Sequence, residues 1–246
     1  MKYIKRLSAT IVLTTYNGSL YIRELLESLA NQSRKIDEVL IYDDSSSDNT
    51  VEIVEKFIVE FNLKDHWHLV VNQKNKGWKK NFRDAILKVG TDVVFPCDQD
   101  DFWFEKKVEK MMEYMEINNN CLLLASDYQL LHEDGVKNFE RIKKQSYQKV
   151  EKVEFDEHFA IGGIRPGCCM ALRMQFVKQI AAQWLDWYPH DSFFWSEAVI
   201  NGGCYLIHED LITFRRHENS ASTKIRHTIK AHLEAMDRTK NIINYY

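Results

Sequence analysis

Val93-Val94-Phe95-Pro96-Cys97-Asp98-Gln99-Asp100-Asp101-Phe102-Trp103 is the stretch on which the fold turns. Residues 93–95 form a short apolar run with the β-branched character of a buried strand. The run ends in three carboxylates within four positions. Like charges this close repel unless a cation sits among them. Mg²⁺ or Mn²⁺, held by one or two carboxylates together with substrate phosphates, is the usual solution. The plainer reading is an acidic turn that caps a helix starting at Phe104. Trp103 counts against it, because its ring would fix the loop against the core.

The same grammar recurs on the N-terminal side. Apolar runs at residues 9–13, 39–42 and 68–71 end respectively in Thr14-Thr15-Tyr16-Asn17, Asp43-Asp44-Ser45 and the polar residues 72–75. Between them, apolar residues fall at helical spacing: Tyr21, Leu25, Leu26 and Leu29; Val51, Val54, Ile58 and Phe61; Phe82, Ala85, Ile86 and Val89. Asp48-Asn49-Thr50 with Glu52 supplies cap chemistry for the second of these helices. Strand–helix–strand repetition predicts an α/β fold, a mainly parallel sheet flanked by helices. Right-handed crossovers then bring all four polar clusters to one edge, where open α/β sheets bind ligands.

Past residue 100 the rhythm changes. The pattern predicts a helix over 104–117, a strand over 121–125, loops over 132–160 and a Gly-rich turn at 162–167. The apolar run 168–172, helices over 175–187 and 192–200, a strand over 204–207 and an amphipathic C-terminal helix follow. No Pro- or Ser-rich linker and no internal repeat divides the chain. The expectation is one domain over 1–222, with a ligand half of about 1–103 and a second half of about 104–222, then the helix 223–246.

Composition removes several classes of function. Lys plus Arg is 33 against 36 for Asp plus Glu, and this balance argues against nucleic acid as the main partner. No apolar run reaches the roughly 18 to 20 residues that span a bilayer. Met1 to Arg6 is basic but leads into a strand rather than a cleavage site, so it does not read as a signal peptide. The five cysteines are scattered without a C-x-x-C pair, which fits reduced thiols in a cytoplasmic protein. No phosphate-binding glycine fingerprint occurs, which removes most support for NAD chemistry and P-loop phosphoryl transfer.

Within this frame Asp44, at a strand end, is placed to accept hydrogen bonds from a ribose or a base. Asn75-x-Gly77-x-x-x-Asn81 follows the third strand; Gly77 relieves a tight loop, and Lys79 or Lys80 can approach a diphosphate.

The ordered segments TIVLTTYNG, EVLIYDDSSSDNT, NKGWKKNF, DVVFPCDQDDFW, HDSFFW and RRHENSAS, from about Ser8 to Ser222, resemble a family 2 glycosyltransferase of the GT-A (Rossmann-like) fold. The likeness is to bacterial enzymes of O-antigen, capsule or exopolysaccharide synthesis, rhamnosyltransferases among them. The resemblance implies that Thr14 and Tyr16 line a nucleotide pocket and that Asp44 meets a pyrimidine base. It implies a nucleotide-sugar site that includes Asn75, Gly77, Lys80 and Asp98. Asp100 would be the direct metal ligand, with Asp98 nearer the ribose. Asp191 would be the general base of an inverting displacement, although the family often carries Glu-Asp where this chain has His190-Asp191. His217 matches a histidine that helps bind metal or diphosphate in some relatives, and Arg165 lies in a region near the sugar and acceptor.

The implied cofactor is Mn²⁺ or Mg²⁺. The implied partners are a UDP- or dTDP-sugar donor and a glycan or lipid-linked saccharide acceptor, with oligomeric state left open. Lys224, Arg226, Lys230, Arg238 and Lys240 would allow peripheral contact of residues 224–246 with anionic lipid at the inner face of the membrane. Two rival readings share parts of this pattern. A nucleotidyltransferase would want a Gly-rich loop with Arg and Lys near the N-terminus. A non-enzymatic Mg²⁺-binding regulatory domain would leave the second half of the chain without a purpose.

Overall fold

The computed structural model describes residues 5–132, 149–155 and 165–217. The predicted amphipathic helix 223–246, its basic residues and the end of the 1–222 domain lie outside them. So do residues 162–164 of the Gly-rich turn and most of the segment 132–160.

Four parallel strands form the N-terminal half: β1 (Ala9–Thr15), β2 (Glu38–Asp43), β3 (Trp67–Val71) and β4 (Val93–Asp98). β1 is central, with β2 on one side and β4 on the other, and all seven of its residues are buried. That accounts for a nearly unbroken apolar and β-branched run: helices cover both faces, so no alternation with polar residues is required. Ile11 and Leu13 point into one apolar cluster and Val12 into the other, as the two-residue strand period demands. Helices α1 (Ile22–Ala30), α2 (Thr50–Glu60) and α3 (Trp78–Ile86) link these strands. Each buries one stripe, for example Ile22, Leu25, Leu26 and Leu29 of α1. Of the cap residues foreseen for α2, Asp48 is the one that acts: it accepts from the Thr50 backbone N–H (3.0 Å), whereas the Asn49 side chain makes no cap bond.

The second half joins the same sheet in mixed orientation. The two-residue β5 (Phe102–Trp103) precedes α4 (Lys107–Ile117), then β6 (Leu123–His132), the short β7 (Val150–Lys152), β8 (Met170–Arg173), α5 (Met174–Ile180), α6 (His190–Ile200) and β9 (Cys204–Arg216). Strand order is β3-β2-β1-β4-β8-β6-β9-β5, with β7 beside β9. β4–β8, β6–β8, β5–β9 and β7–β9 are antiparallel; β6–β9 is parallel. The parallel arrangement is therefore a property of the first half.

Three expected elements end differently, and the first is the strand foreseen over 121–125, which runs on as β6 to His132. The helix foreseen over 175–187 stops at Ile180, and a 3₁₀ turn (Ala181–Gln183) leads into a fold-back in which the Trp184 indole N–H donates to the Tyr188 carbonyl at 3.1 Å. The strand foreseen over 204–207 runs on to Arg216. Its charged half hides the strand pattern, and pairing with β5 and β6 supplies what periodicity lacks. All five cysteines are buried and free. Among the described residues, no helix is long and apolar enough to cross a membrane.

Candidate active site

The carboxyl ends of β1, β2 and β4 lie side by side, since Thr14 is in register with Tyr42 and Asp98, and Thr15 with Asp43. The loops that leave them are welded together. Asn17 and Ser45 both take positive φ (48° and 67°), which turns the two loops toward each other. The Asn17 N–H donates to the Ser46 hydroxyl (2.9 Å), the Ser47 N–H to Asn17 Oδ1 (2.8 Å) and the Gly18 N–H to Thr50 Oγ1 (2.8 Å). Gln99 closes the arrangement from β4. Its Oε1 accepts the Tyr16 N–H (2.8 Å) and its Nε2 donates to the Tyr16 carbonyl (3.0 Å). Gly18 is required here, because a Cβ would lie 2.2 Å from Gln99 Oε1. Thr14 is buried behind this clamp, and the Tyr16 ring stands out at 48% exposure.

Asp43 and Asp44 are buried and fully engaged. Asp43 accepts from the Thr15 hydroxyl (2.7 Å), the Ser46 N–H (2.8 Å) and the Ser46 hydroxyl (2.6 Å). Asp44, 2% exposed, accepts from Asn72 Nδ2 (2.9 Å), the Lys76 N–H (2.9 Å) and the Gly77 N–H (2.8 Å). Both Asp44 oxygens are thus taken by donors of the chain itself, and the side chain folds residues 72–77 into a pocket wall. Asn75 Oδ1 accepts the same Gly77 N–H (3.0 Å), and Gly77 starts α3 at φ 84°, a conformation suited to glycine. Lys80 sits between Asp84 (3.2 Å) and Asp186 (3.3 Å), so its ammonium engages carboxylates.

The β4 end is arranged in the opposite manner. Asp98, Asp101 and Cys168 bring ligating atoms within 4.8 Å of one another. Burial, then the charges of Asp100 and Asp191, push the Asp98 carboxyl up to about 7. Asp101 is 1% exposed; its Oδ1 accepts the Arg215 N–H (3.1 Å), whereas its Oδ2 is buried without a hydrogen-bond donor. Burial, followed by Asp98 and Asp100, drives its carboxyl well above the ordinary range. Asp100 meets His217 Nε2 at 2.8 Å, and the Arg215 guanidinium donates to the Asp100 carbonyl (2.9 Å). The Tyr21 ring packs at 5.0 Å from the His217 ring and 4.8 Å from the Arg215 guanidinium. The Asp98, Asp100 and Asp101 carboxylates with a histidine alongside match the hard oxygen and imidazole donors that Mn²⁺ or Mg²⁺ accepts.

Asp191 lies in the first turn of α6, and its charge is felt at Asp98, which brings this acid to the same edge. Its Oδ1 accepts the Ser192 N–H (2.6 Å). The preceding His190 is 3% exposed with neither ring nitrogen partnered, its ring 4.1 Å from that of Phe82. Gly167 makes room for it: a Cβ there would lie 2.0 Å from His190 Nε2. Arg165 donates through Nε (3.1 Å) and a terminal nitrogen (2.6 Å) to Asp127 Oδ1, so the observed partner is a buried carboxylate of β6.

Asp98, Asp100 and His217 are therefore gathered at one place, and the charge of Asp191 is felt there; Thr14 is in register with Asp98, Tyr16 is tied to Gln99, Gly77 stands at the Asp44 side, and Lys80 and Arg165 are held by ion pairs. Sequence reasoning missed Gln99 and Arg215. Gln99 sits inside the D-Q-D-D run and Arg215 inside the Arg-Arg-His run, and both runs attracted attention only for other members. A cavity of about 470 Å³, lined by Glu24, Glu27, Ser28, Asn31, Phe102, Trp103 and Glu105, opens between α1 and β5.

Comparison with known proteins gives a consistent result. The sequence model of the family described as Glycosyl transferase family 2 matches residues 10–181. The dTDP-rhamnosyl transferase RfbG of Shigella flexneri is 32% identical over 222 residues, covering 85% of this chain and 72% of RfbG. Among solved structures, TarS 1-349 of S. aureus in complex with UDP-GlcNAc superposes with a TM-score of 0.68 at 19% identity, over 87% of this chain and 60% of TarS 1-349. Mannosyltransferase PcManGT of Pyrobaculum calidifontis, in complex with GDP-Man and Mn²⁺, gives 0.68 at 13% identity, over 95% of this chain and 65% of its own. The chain thus spans less than two thirds of these two solved chains, and the likeness establishes the GT-A fold.

Proposed function

This chain belongs to glycosyl transferase family 2, and on that premise we propose that it transfers a sugar, with inversion, from a nucleoside-diphosphate sugar to a hydroxyl of a glycan or lipid-linked acceptor. The observation that carries the reading is the contact of Asp100 with His217, from the two halves of the chain, next to Asp98 at the carboxyl edge of the sheet, where the charge of Asp191 is also felt. The name of RfbG and the nucleotide sugars in the TarS and PcManGT complexes support a sugar-nucleotide donor, with UDP and dTDP as the proposed nucleotides. Surface-polysaccharide synthesis is the proposed setting.

Thr14, Tyr16 and the 72–77 wall built on Asp44 would flank the nucleoside, with Asn75, Gly77 and Lys80 facing its diphosphate side. Asp100 with Asp98 and His217 would hold Mn²⁺ or Mg²⁺. When bound, the cation would neutralise charge that develops on the leaving diphosphate. Asp191 would remove the proton of the acceptor hydroxyl as its oxygen attacks the anomeric carbon, and the bond from that carbon to the diphosphate oxygen breaks. Arg165 would stiffen the acceptor side through Asp127.

The test is a thermal-shift panel of UDP, dTDP, GDP, CDP and CMP, each with Mn²⁺ and with chelator, on wild type and Asp100→Ala. A ligand at about 100 times its dissociation constant adds roughly 2.7 kcal/mol, a rise on the order of 5 to 10 °C for a domain this size. One diphosphate should produce the rise, and only with both Mn²⁺ and Asp100. No response to any nucleotide would refute the mechanism while leaving the fold intact.

A further inference from the structure

Arg215 lies near the end of β9 and reads in the sequence as one basic residue of the Arg215-Arg216-His217 run. In the fold its side chain is 13% exposed and reaches two separate parts of the molecule. The guanidinium Nε donates to the Asp100 carbonyl oxygen (2.9 Å). A terminal nitrogen meets Glu24 of α1 at 2.5 Å, and the guanidinium carbon lies 4.8 Å from the centroid of the Tyr21 ring. The backbone N–H of Arg215 donates to Asp101 Oδ1 (3.1 Å).

His217, two positions on, completes the pattern. Residues i and i+2 of an extended segment face the same way, and the His217 ring packs 5.0 Å from the same Tyr21 ring. His217 Nε2 meets Asp100 Oδ2 at 2.8 Å. Asp100 is therefore held twice from one strand end, at its carbonyl by Arg215 and at its carboxylate by His217. Tyr21 and Glu24, at the start of α1, brace that strand end. A guanidinium presents its N–H groups in a rigid fork. Satisfying Glu24 and the Asp100 carbonyl together thus fixes where the backbone of Asp100 stands.

We propose that Arg215 is a positioning residue: fastened to α1 through Glu24 and Tyr21, it sets the Asp100 backbone so that Asp100 and His217 converge on one cation. The inference rests on the reading that these two residues hold a divalent cation. Its sign separates it from the effect of charge. A guanidinium beside a cation site repels the cation, so by electrostatics alone Arg215→Met would bind metal more tightly. Positioning requires the same variant to bind metal more weakly, because the ligand that Arg215 orients is released.

The test is Mn²⁺ affinity by titration calorimetry, well below the melting temperature of each variant, with the nucleoside diphosphate that stabilises wild type present throughout. Arg215→Met should weaken Mn²⁺ binding by about tenfold or more, the usual scale for losing a group that orients a metal ligand. Glu24→Gln should weaken it less. It should cost nothing further in the Arg215→Met background, since its effect passes through the guanidinium.

Unchanged or tighter Mn²⁺ binding by Arg215→Met, even with a lowered melting temperature, overturns the proposal and leaves Arg215 as a staple of the strand end. Additive losses in the double variant overturn it as well, because Glu24 would then act on the cation by its own charge. Should Arg215→Met fail to fold, Arg215→Lys and Glu24→Gln decide. Lysine keeps the charge but lacks the fork that spans Glu24 and the Asp100 carbonyl. Weaker Mn²⁺ binding in both variants supports the proposal, and wild-type or tighter binding in either overturns it. A wild type indifferent to Mn²⁺ and to every nucleotide refutes the transferase reading and takes this proposal with it. That outcome is distinct from undiminished Mn²⁺ binding by Arg215→Met, which refutes the positioning role alone.

Discussion

Two acidic clusters stand at strand ends on either side of β1, and they differ in one respect that governs the rest. Asp43 and Asp44 at the end of β2 accept six hydrogen bonds of 2.6 to 2.9 Å from neighbouring hydroxyls, an amide and backbone N–H groups. Asp98 and Asp101 at the end of β4 are pushed toward the neutral form by burial, and one Asp101 oxygen has no donor. Chemically similar residues thus do different work. A carboxylate filled by internal donors is architecture, because those donors would be orphaned by its loss. One left short of donors in a cluster of like charge is what a cation would relieve, which is the role proposed for this cluster.

The largest effect should come from the acid that extends the open cluster into the second half of the chain. Asp191→Asn should lower turnover by about 10²- to 10⁴-fold, with Mn²⁺-dependent nucleotide binding retained. Release of nucleoside diphosphate from the responding donor measures the first quantity and thermal shift the second. Loss of both together would mean that Asp191 belongs to the binding cluster and not to the chemistry.

Asp44→Ala should destabilise the protein by about 2 to 4 kcal/mol, to the same extent with Mn²⁺ and with chelator, because it strands the Lys76 N–H and takes one of two acceptors from Asn72 and from the Gly77 N–H. Asp98→Asn should leave the chelator melting temperature unchanged at low pH and raise it near pH 7, and should weaken the Mn²⁺ response. Denaturant melts of the two variants side by side decide the matter, and a metal-dependent loss in Asp44→Ala would erase the distinction between the clusters.

The smallest effect is one of pH. The Asp98 carboxyl is raised to about 7, by burial first and by Asp100 and Asp191 next, from an unfolded value near 4. Between those values the native state holds a proton that the unfolded chain has released. Stability of the metal-free protein should therefore be full below about pH 4 and fall steadily as pH rises to about 7. Asp98→Asn should flatten that slope. A stability that increases across the same window in chelator would show that the open cluster is not short of compensation.

Much of this could be read along the chain because the information is local. The apolar runs at β1 to β4, their polar ends and the helical spacing between them follow from periods of two and 3.6 residues, which any reader of the sequence can count. Asp98, Asp100 and Asp191 stood out for the same reason, as charges where a strand ends or a helix begins. The extent of β9 did not. Its charged half, His208 to Arg216, is a strand because Phe102 and Trp103 of β5 and residues of β6 pair with it. The mixed orientation of the second half is likewise a consequence of which strands found each other.

The sequence by itself determined the parallel α/β half, the edge at which ligands meet it and the acids that gather there. The tertiary structure alone decided what those acids do. It brought His217 to Asp100 across 117 positions, filled Asp44 with donors from a loop about 30 residues away, and sank Lys107 against the Cys168 carbonyl and the Trp103 ring. The physical reason is that the behaviour of a charge is set by its desolvation and its partners, both of which are supplied by distant segments of the folded chain.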